Sequence, residues 1–133
     1  MDLLAQNAEQ IRLANEYYLM GELEKAIDIY SDLAKDSKNI PLIHRNYFNL
    51  LTNAEEYKEA EKYIKNNIKK FKGNVYYQID YGRLLLAQGN DLEANQQFTT
   101  IIEDIKKDQY RLRITAQYLV QKQLREWALT AYL

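Results

Sequence analysis

GELEKA at residues 21–26 and GNDLEA at residues 89–94 are two copies of one pattern, a glycine followed five residues later by an alanine. EEYKEA at residues 55–60 lies midway between them, and the three closing alanines are 34 residues apart at each step. One further step of 34 residues reaches Ala128. An alanine that returns at a constant interval indicates an internal repeat, and repeats of this length are typical of stacked helical units.

Other positions follow the same 34-residue step. The equivalent sets are Tyr30, Ile64, Phe98 and Tyr132; Tyr17, Leu51, Leu85 and Leu119; and Ala14, Phe48, Gly82 and Ala116. Within the first copy, Leu13, Tyr17 and Met20 have the spacing of one helix face. Gly21 then separates this helix from a second one that carries Ala26, since glycine suits the left-handed end of a helix. The chain is predicted to form helices near 3–19, 24–37, 41–53, 57–71, 74–88, 92–106, 109–122 and 125–133.

These phased positions resemble the tetratricopeptide repeat family. The third copy shows the family pattern most fully, with Tyr81-Gly82, Leu85, Gly89-Asn90, Ala94 and Phe98. The resemblance implies an all-α fold, an alpha-alpha superhelix in which antiparallel helix hairpins form a right-handed solenoid. It also implies a single domain over 1–133, with full repeats at about 7–40, 41–74 and 75–108 and an incomplete fourth at 109–133. We expect the chain to be a fragment of a longer array.

The second copy departs from the family pattern. It has Phe48 at the small position, Glu55 at the turn glycine and polar Asn67 where a small core residue is usual. We therefore expect its hairpin to pack more openly, with Ile68 replacing Asn67 in the core.

The pentatricopeptide family is similar and binds RNA, but its repeats are usually one residue longer and its members are usually basic. The 34-residue step and the balanced charge of this chain therefore count against that family.

The composition limits the classes of function. With 18 basic and 19 acidic side chains, the chain has no strong overall field to attract nucleic acid or an anionic membrane. It contains no cysteine, so disulfides and thiolate chemistry are excluded. Its longest apolar run, residues 84–87, is far too short to enter a bilayer as a span. No intact signal peptide is present, so we expect a soluble protein, cytoplasmic or, if a signal was removed, periplasmic.

No catalytic constellation is evident. His44 is the only histidine and has no cysteine or second histidine as a partner, which favours a packing or surface role. The acidic pairs, such as Glu55 and Glu56, precede second helices, where negative charge suits the helix dipole. The lysines between Lys65 and Lys72 are better explained by the carbonyl end of their helix than by nucleic acid. We predict no enzyme activity, no cofactor and no metal.

The family resemblance implies that the first helices line a concave groove for an extended peptide or a partner helix. The transferred groove positions and the outward-facing tyrosines are Asn15, Tyr18, Arg45, Asn49, Tyr76, Arg83, Arg113 and Gln117. Tyr110 shares the position of Tyr76 in the next copy. Asn15, Asn49 and Arg83 match a carboxylate clamp known in the family, but Ile11 and Ile79 stand at its two lysine positions. The groove is predicted to prefer an extended peptide that carries one or more carboxylates.

The predicted function is a protein–protein interaction scaffold whose partner is a protein or peptide, with an acidic one favoured by the groove. The alternative is a structural spacer or self-association module without a dedicated peptide ligand. The apolar segment 127–133 motivates this alternative, because it lies in a truncated helix and could pair two copies into a homodimer.

Overall fold

The computed structural model describes residues 2–106 and 108–132, with the side chain of Tyr132 left out. These residues form eight α-helices, and no β-strand occurs among them. The helices are α1 (Leu3–Met20), α2 (Leu23–Leu33), α3 (Ile40–Asn53), α4 (Tyr57–Lys70), α5 (Val75–Ala87), α6 (Asp91–Ile105), α7 (Gln109–Gln121) and α8 (Arg125–Tyr132). The all-α prediction is confirmed.

The tight turns between paired helices repeat in the backbone at the 34-residue step. Gly21, Glu55, Gly89 and Gln123 all have positive φ, at 78°, 58°, 78° and 63°. After each of them, the next N–H donates back to a carbonyl in the last turn of the preceding helix, as from Glu22 to Tyr17 and from Asn90 to Leu85, both at 2.9 Å. This bond closes a Schellman cap. Two of the four turns therefore place a non-glycine residue in the left-handed region.

Helix starts also follow the repeat. Asn74 and Asp108, 34 residues apart, cap α5 and α7 by accepting from the N–H groups of Tyr76 at 2.9 Å and Tyr110 at 3.0 Å. The largest difference from the predicted bounds is at α2, which ends at Leu33 rather than near 37. Asp36 accepts from Lys38 N at 3.0 Å and begins a short 3₁₀ turn at Ser37–Asn39, so the helix cannot continue.

Contacts divide the chain into two compact units, one up to Ala60 and one from Glu61. In the first unit, α1 and α2 pack as a hairpin, and α3 packs against both. In the second unit, α5 packs with α6 and α7 with α8, while α7 also contacts α5 and α6. The repeated alanines Ala26, Ala60, Ala94 and Ala128 are all buried.

Position 82 requires a glycine because of one aromatic neighbour. A Cβ at this position would lie 2.5 Å from Cε1 of Phe98, which is closer than real Cβ contacts. Phe98 cannot easily withdraw, because it is only 1% exposed and packs on Trp127 at 5.3 Å between ring centres. Because Gly82 has no side chain, the Phe98 ring of α6 packs directly on the backbone of α5.

The expectation that Ile68 replaces Asn67 in the core is wrong. Asn67 is buried, at 3% exposure, while Ile68 is only half-buried. Asn67 occupies the position of Leu33 and Ile101, which are also buried, so the helical period determines which face turns inward. The amide nitrogen of Asn67 makes no hydrogen bond within the described residues.

Candidate functional site

Unit 1 brings one predicted site residue into a buried polar network. The side-chain oxygen of Asn15 on α1 accepts from the hydroxyl of Tyr30 and from the amide of Asn46 at 3.1 Å. The Asn46 amide also approaches the Tyr30 hydroxyl at 3.4 Å. Burial raises the pKa of Tyr30, so its hydroxyl stays protonated and donates. The Asn15 oxygen thus joins α1, α2 and α3 rather than standing open to a ligand.

The other predicted site residues of unit 1 are more accessible. Arg45 on α3 is exposed, and its guanidinium makes no ion pair within the described part of the chain. Asn49, one helical turn further along α3, is half-buried. Tyr18 on α1 is also half-buried. Of the predicted site residues in this unit, Arg45 is therefore the one that can bind an anionic group.

Unit 2 contains a polar cluster around a buried carboxylate. Asp80 on α5 is only 1% exposed. Its Oδ1 accepts from Nη1 of Arg83 at 2.9 Å, and the hydroxyl of Tyr118 on α7 lies 3.0 Å from Oδ1 and 2.9 Å from Oδ2. The ring of Tyr76 meets the Tyr118 ring edge-on, with centres 4.7 Å apart. Asp80 and Tyr118, which were not predicted as site residues, thus link two residues that were, Tyr76 and Arg83.

The protonation state of this cluster follows from its surroundings. Burial, and then the neighbouring Asp80 carboxylate, raise the pKa of the Tyr118 hydroxyl. Tyr118 is therefore a donor to Asp80 at physiological pH. Arg83 is the charged partner that makes the burial of Asp80 tolerable. We name Asp80, Arg83 and Tyr118 the Asp80 cluster.

The remaining predicted residues lie on the exposed side of α5 and α7. Tyr76 is 38% exposed and Tyr110 is 64% exposed. The guanidinium carbon of Arg113 stands 5.9 Å from the centre of the Tyr110 ring, a cation–π arrangement. Both residues border an open cleft of about 550 Å³ that Gln109 and Leu112 also line. Gln117, one turn beyond Arg113, is exposed.

The two isoleucines at the clamp's lysine positions have different settings. Ile79 is completely buried among the core residues of unit 2, so it does not line a groove. Ile11 is half-buried and lines an apolar cleft of about 490 Å³ in unit 1, beside Leu3, Leu4 and Leu42.

Sequence reasoning missed Asp80, Tyr118 and Asn46. One signal for Asp80 was available, because it is the one carboxylate among residues 75–87, with an arginine three positions later on the same helix face. Asn46 holds the equivalent position one repeat earlier. No local signal identified Tyr118 as its partner, since that contact joins two helices.

The remaining candidates are the single histidine, a metal site and a membrane span. His44 stacks on Phe48 with ring centres 5.4 Å apart. Among the residues that the structure describes, no group of three or more carboxylate or histidine side chains is arranged to hold a metal ion. Within the same residues, no helix combines the length and apolar character that crossing a bilayer requires.

Comparison with protein-family models, with curated proteins and with solved structures finds no match to this chain. Any assignment of function therefore depends on the residues and geometry described above.

Proposed function

We propose that this chain is a protein-interaction scaffold of the tetratricopeptide type, which binds an extended peptide on the exposed side of its first helices. The observation that supports this proposal is the surface of α5 and α7 in unit 2. There Tyr76, Tyr110, Arg113 and Gln117 present aromatic, cationic and amide groups to solvent, and Tyr110 and Arg113 line an open cleft.

These residue types suit peptide recognition. Tyrosine buries a large area on binding at a modest entropic cost, because it has few rotatable bonds. An exposed arginine can bond a carboxylate through two parallel N–H groups. Glutamine and asparagine can donate to and accept from a peptide main chain. In unit 1, Arg45 and Asn49 supply the same kinds of group on α3.

The repeated turns support the family part of the proposal. The left-handed residue and its Schellman bond return at every 34-residue step, and the alanine that follows is buried each time. A hairpin of this kind cannot cover its apolar face alone and needs neighbouring hairpins. The geometry is that expected of a helical repeat, and in unit 2 it leaves Arg113 and Gln117 of a first helix exposed.

The test is a binding screen of the purified chain against an array of extended peptides with varied acidic content. We expect bound peptides to be enriched in acidic residues, and Arg113→Ala to weaken them roughly tenfold, the size of one charge-assisted hydrogen bond. Arg125→Ala is the matched control, because Arg125 is an exposed arginine of the same unit at the start of α8. An equal loss of peptide affinity in both variants would mean that the peptides bind at a different surface.

The same screen also addresses the alternative function. If no peptide binds and sedimentation shows concentration-dependent self-association, the spacer or self-association module replaces the scaffold as the better account.

A further inference from the structure

Two of the arginines of unit 2, Arg83 and Arg113, have different electrostatic settings. Arg83 donates to the buried Asp80 carboxylate at 2.9 Å, and its side chain is 28% exposed. Arg113 is exposed and lies over the Tyr110 ring. No carboxylate pairs with Arg113 within the described residues. The charge of Arg83 is therefore compensated inside the protein, whereas that of Arg113 is not.

The repeat itself does not require a carboxylate at position 80. The equivalent positions in the neighbouring repeats hold the amide Asn46, which bonds Asn15, and the half-buried Ile114. A buried carboxylate loses its hydration, and a buried ion pair seldom stabilises a protein more than apolar side chains of similar size would. Asp80 is better explained by what it does to its partners than by what it adds to stability.

The effect of Asp80 on Arg83 is specific. It neutralises the net charge of the guanidinium but engages Nη1 alone among the hydrogen bonds seen, so N–H donors remain on the part of the side chain that reaches solvent. A donor whose charge is already balanced favours a neutral acceptor, because a second carboxylate would be repelled by Asp80. A peptide carbonyl is such an acceptor.

We propose that Arg83 and Arg113 recognise different groups of one extended peptide, Arg83 a main-chain carbonyl and Arg113 a side-chain carboxylate, with Asp80 as the positioning residue that sets this division. The inference rests on the proposed function, since it names the ligand chemistry of the same surface. Tyr118 helps by donating to the Asp80 carboxylate, 2.9 Å from Oδ2 and 3.0 Å from Oδ1, which holds the orientation of the carboxylate that Arg83 contacts.

The experiment uses two labelled probes, an acetylated and amidated peptide of alternating glutamate and serine, and its counterpart with glutamine for glutamate. Fluorescence anisotropy gives the Kd of each over a range of salt concentrations. The variants are Arg113→Gln, Asp80→Asn and the double variant Asp80→Asn with Arg83→Gln. Asn at position 80 keeps an oxygen that can accept from Tyr118, and circular dichroism checks that each variant remains folded.

Each variant has a distinct expected result. Arg113→Gln abolishes the preference for the glutamate peptide, because the Kd of that peptide rises to that of the glutamine peptide. Asp80→Asn increases the preference roughly tenfold and steepens its salt dependence, because Arg83 then acts as an uncompensated cation. The double variant weakens both peptides by the same factor. A purely structural role for Asp80 predicts instead that Asp80→Asn weakens both peptides equally, and this result would overturn the proposal.

A second readout separates this inference from the proposed function. If neither peptide binds the wild-type chain, peptide binding at this surface fails, and the arginine side chains are followed by nitrogen-15 NMR during titration with inorganic phosphate. The expected result is a shift of the Nε resonance of Arg113 but not of Arg83, with Arg83 responding only in Asp80→Asn. A response of Arg83 equal to that of Arg113 in the wild type, or no response of either, refutes the division.

Discussion

The hydroxyl of Tyr118 on α7 lies within hydrogen-bond distance of both carboxylate oxygens of Asp80 on α5, at 3.0 and 2.9 Å. This contact ties the third hairpin to the fourth through a charged group that is nearly inaccessible to water. A hydrogen bond to a buried charge is stronger than one between neutral groups, because the low local dielectric strengthens it. The stability of unit 2 therefore depends on the hydrogen bond between Tyr118 and Asp80 as well as on the area that their helices bury.

The first prediction concerns the Tyr118 hydroxyl. Tyr118→Phe should lower the free energy of unfolding by about 2 kcal/mol, since it leaves the Asp80 carboxylate without one of its donors. Urea denaturation followed by circular dichroism measures the change. Tyr76→Phe is the control, because the Tyr76 ring packs against Tyr118 but its hydroxyl makes no bond to Asp80. Equal losses in the two variants would mean that the Tyr118 hydroxyl contributes no more than that of Tyr76, and that its contact with Asp80 does not hold the hairpins together.

The second prediction concerns the close approach of Gly82 and Phe98. Gly82→Ala should destabilise the protein by about 1–3 kcal/mol, because the new methyl group meets the buried ring and the core must shift. Thermal melting of Gly82→Ala, Phe98→Leu and the double variant completes a mutant cycle. The double variant should lose less than the sum of the single losses, since leucine leaves room for the methyl group. Strict additivity would show that the two positions do not compete for space.

The third prediction concerns the left-handed turn at Glu55. Its φ of 58° strains any residue with a Cβ, so Glu55→Gly should stabilise the protein by about 1 kcal/mol. The preceding residue, Ala54, has a φ of −81° and supplies the control, because glycine there only adds freedom to the unfolded chain. Ala54→Gly should therefore lower the melting temperature while Glu55→Gly raises it. A drop in both would show that the turn at Glu55 is not left-handed.

The fourth prediction concerns alkaline pH. Burial raises the pKa of Tyr30, Tyr47, Tyr77 and Tyr118 above the ordinary value of 10.0. The folded chain keeps these protons at a pH where the unfolded chain releases them. Stability is thus unaffected by these groups below pH about 10 and falls as the pH rises further, by up to about 1.4 kcal/mol per pH unit for each tyrosine.

Urea denaturation between pH 8 and pH 11.5 tests this fall, with Tyr118→Phe as the comparison. Above pH about 10 the variant should show a shallower decline than the wild type, because it has one fewer hydroxyl to ionise on unfolding. Parallel declines would indicate that Tyr118 ionises as readily in the folded protein as in the unfolded one.

Much of the architecture could be predicted from local patterns. The helix bounds agree within a few residues except at α2, because helical periodicity and turn glycines are encoded in neighbouring residues. Asn67 shows the limit of residue-type reasoning. Its polarity favoured an exposed position, but its place in the helical period, shared with Leu33 and Ile101, turned it inward. Periodicity over a whole helix outweighs the preference of one amide.

The candidate site was predictable only in part. Tyr76, Tyr110, Arg45 and Arg113 are exposed as their positions predicted. Asn15 and Arg83 occupy the predicted helices, but each has an internal partner, the Tyr30 hydroxyl and the Asp80 carboxylate. Such partners decide whether a polar side chain is available to a ligand, and they are not visible in the spacing of a repeat.

The order of helices, the 34-residue step and most of the residues that turn inward follow from the sequence alone, because each depends on interactions within one helix or across one turn. The pairing of Asp80 with Tyr118, 38 positions away, required the tertiary structure. That pairing depends on how one hairpin packs against the next, and many side-chain arrangements are compatible with the same periodic pattern. Only the packed helices select one of them, since a buried carboxylate must find its donors among whatever side chains the neighbouring helix presents.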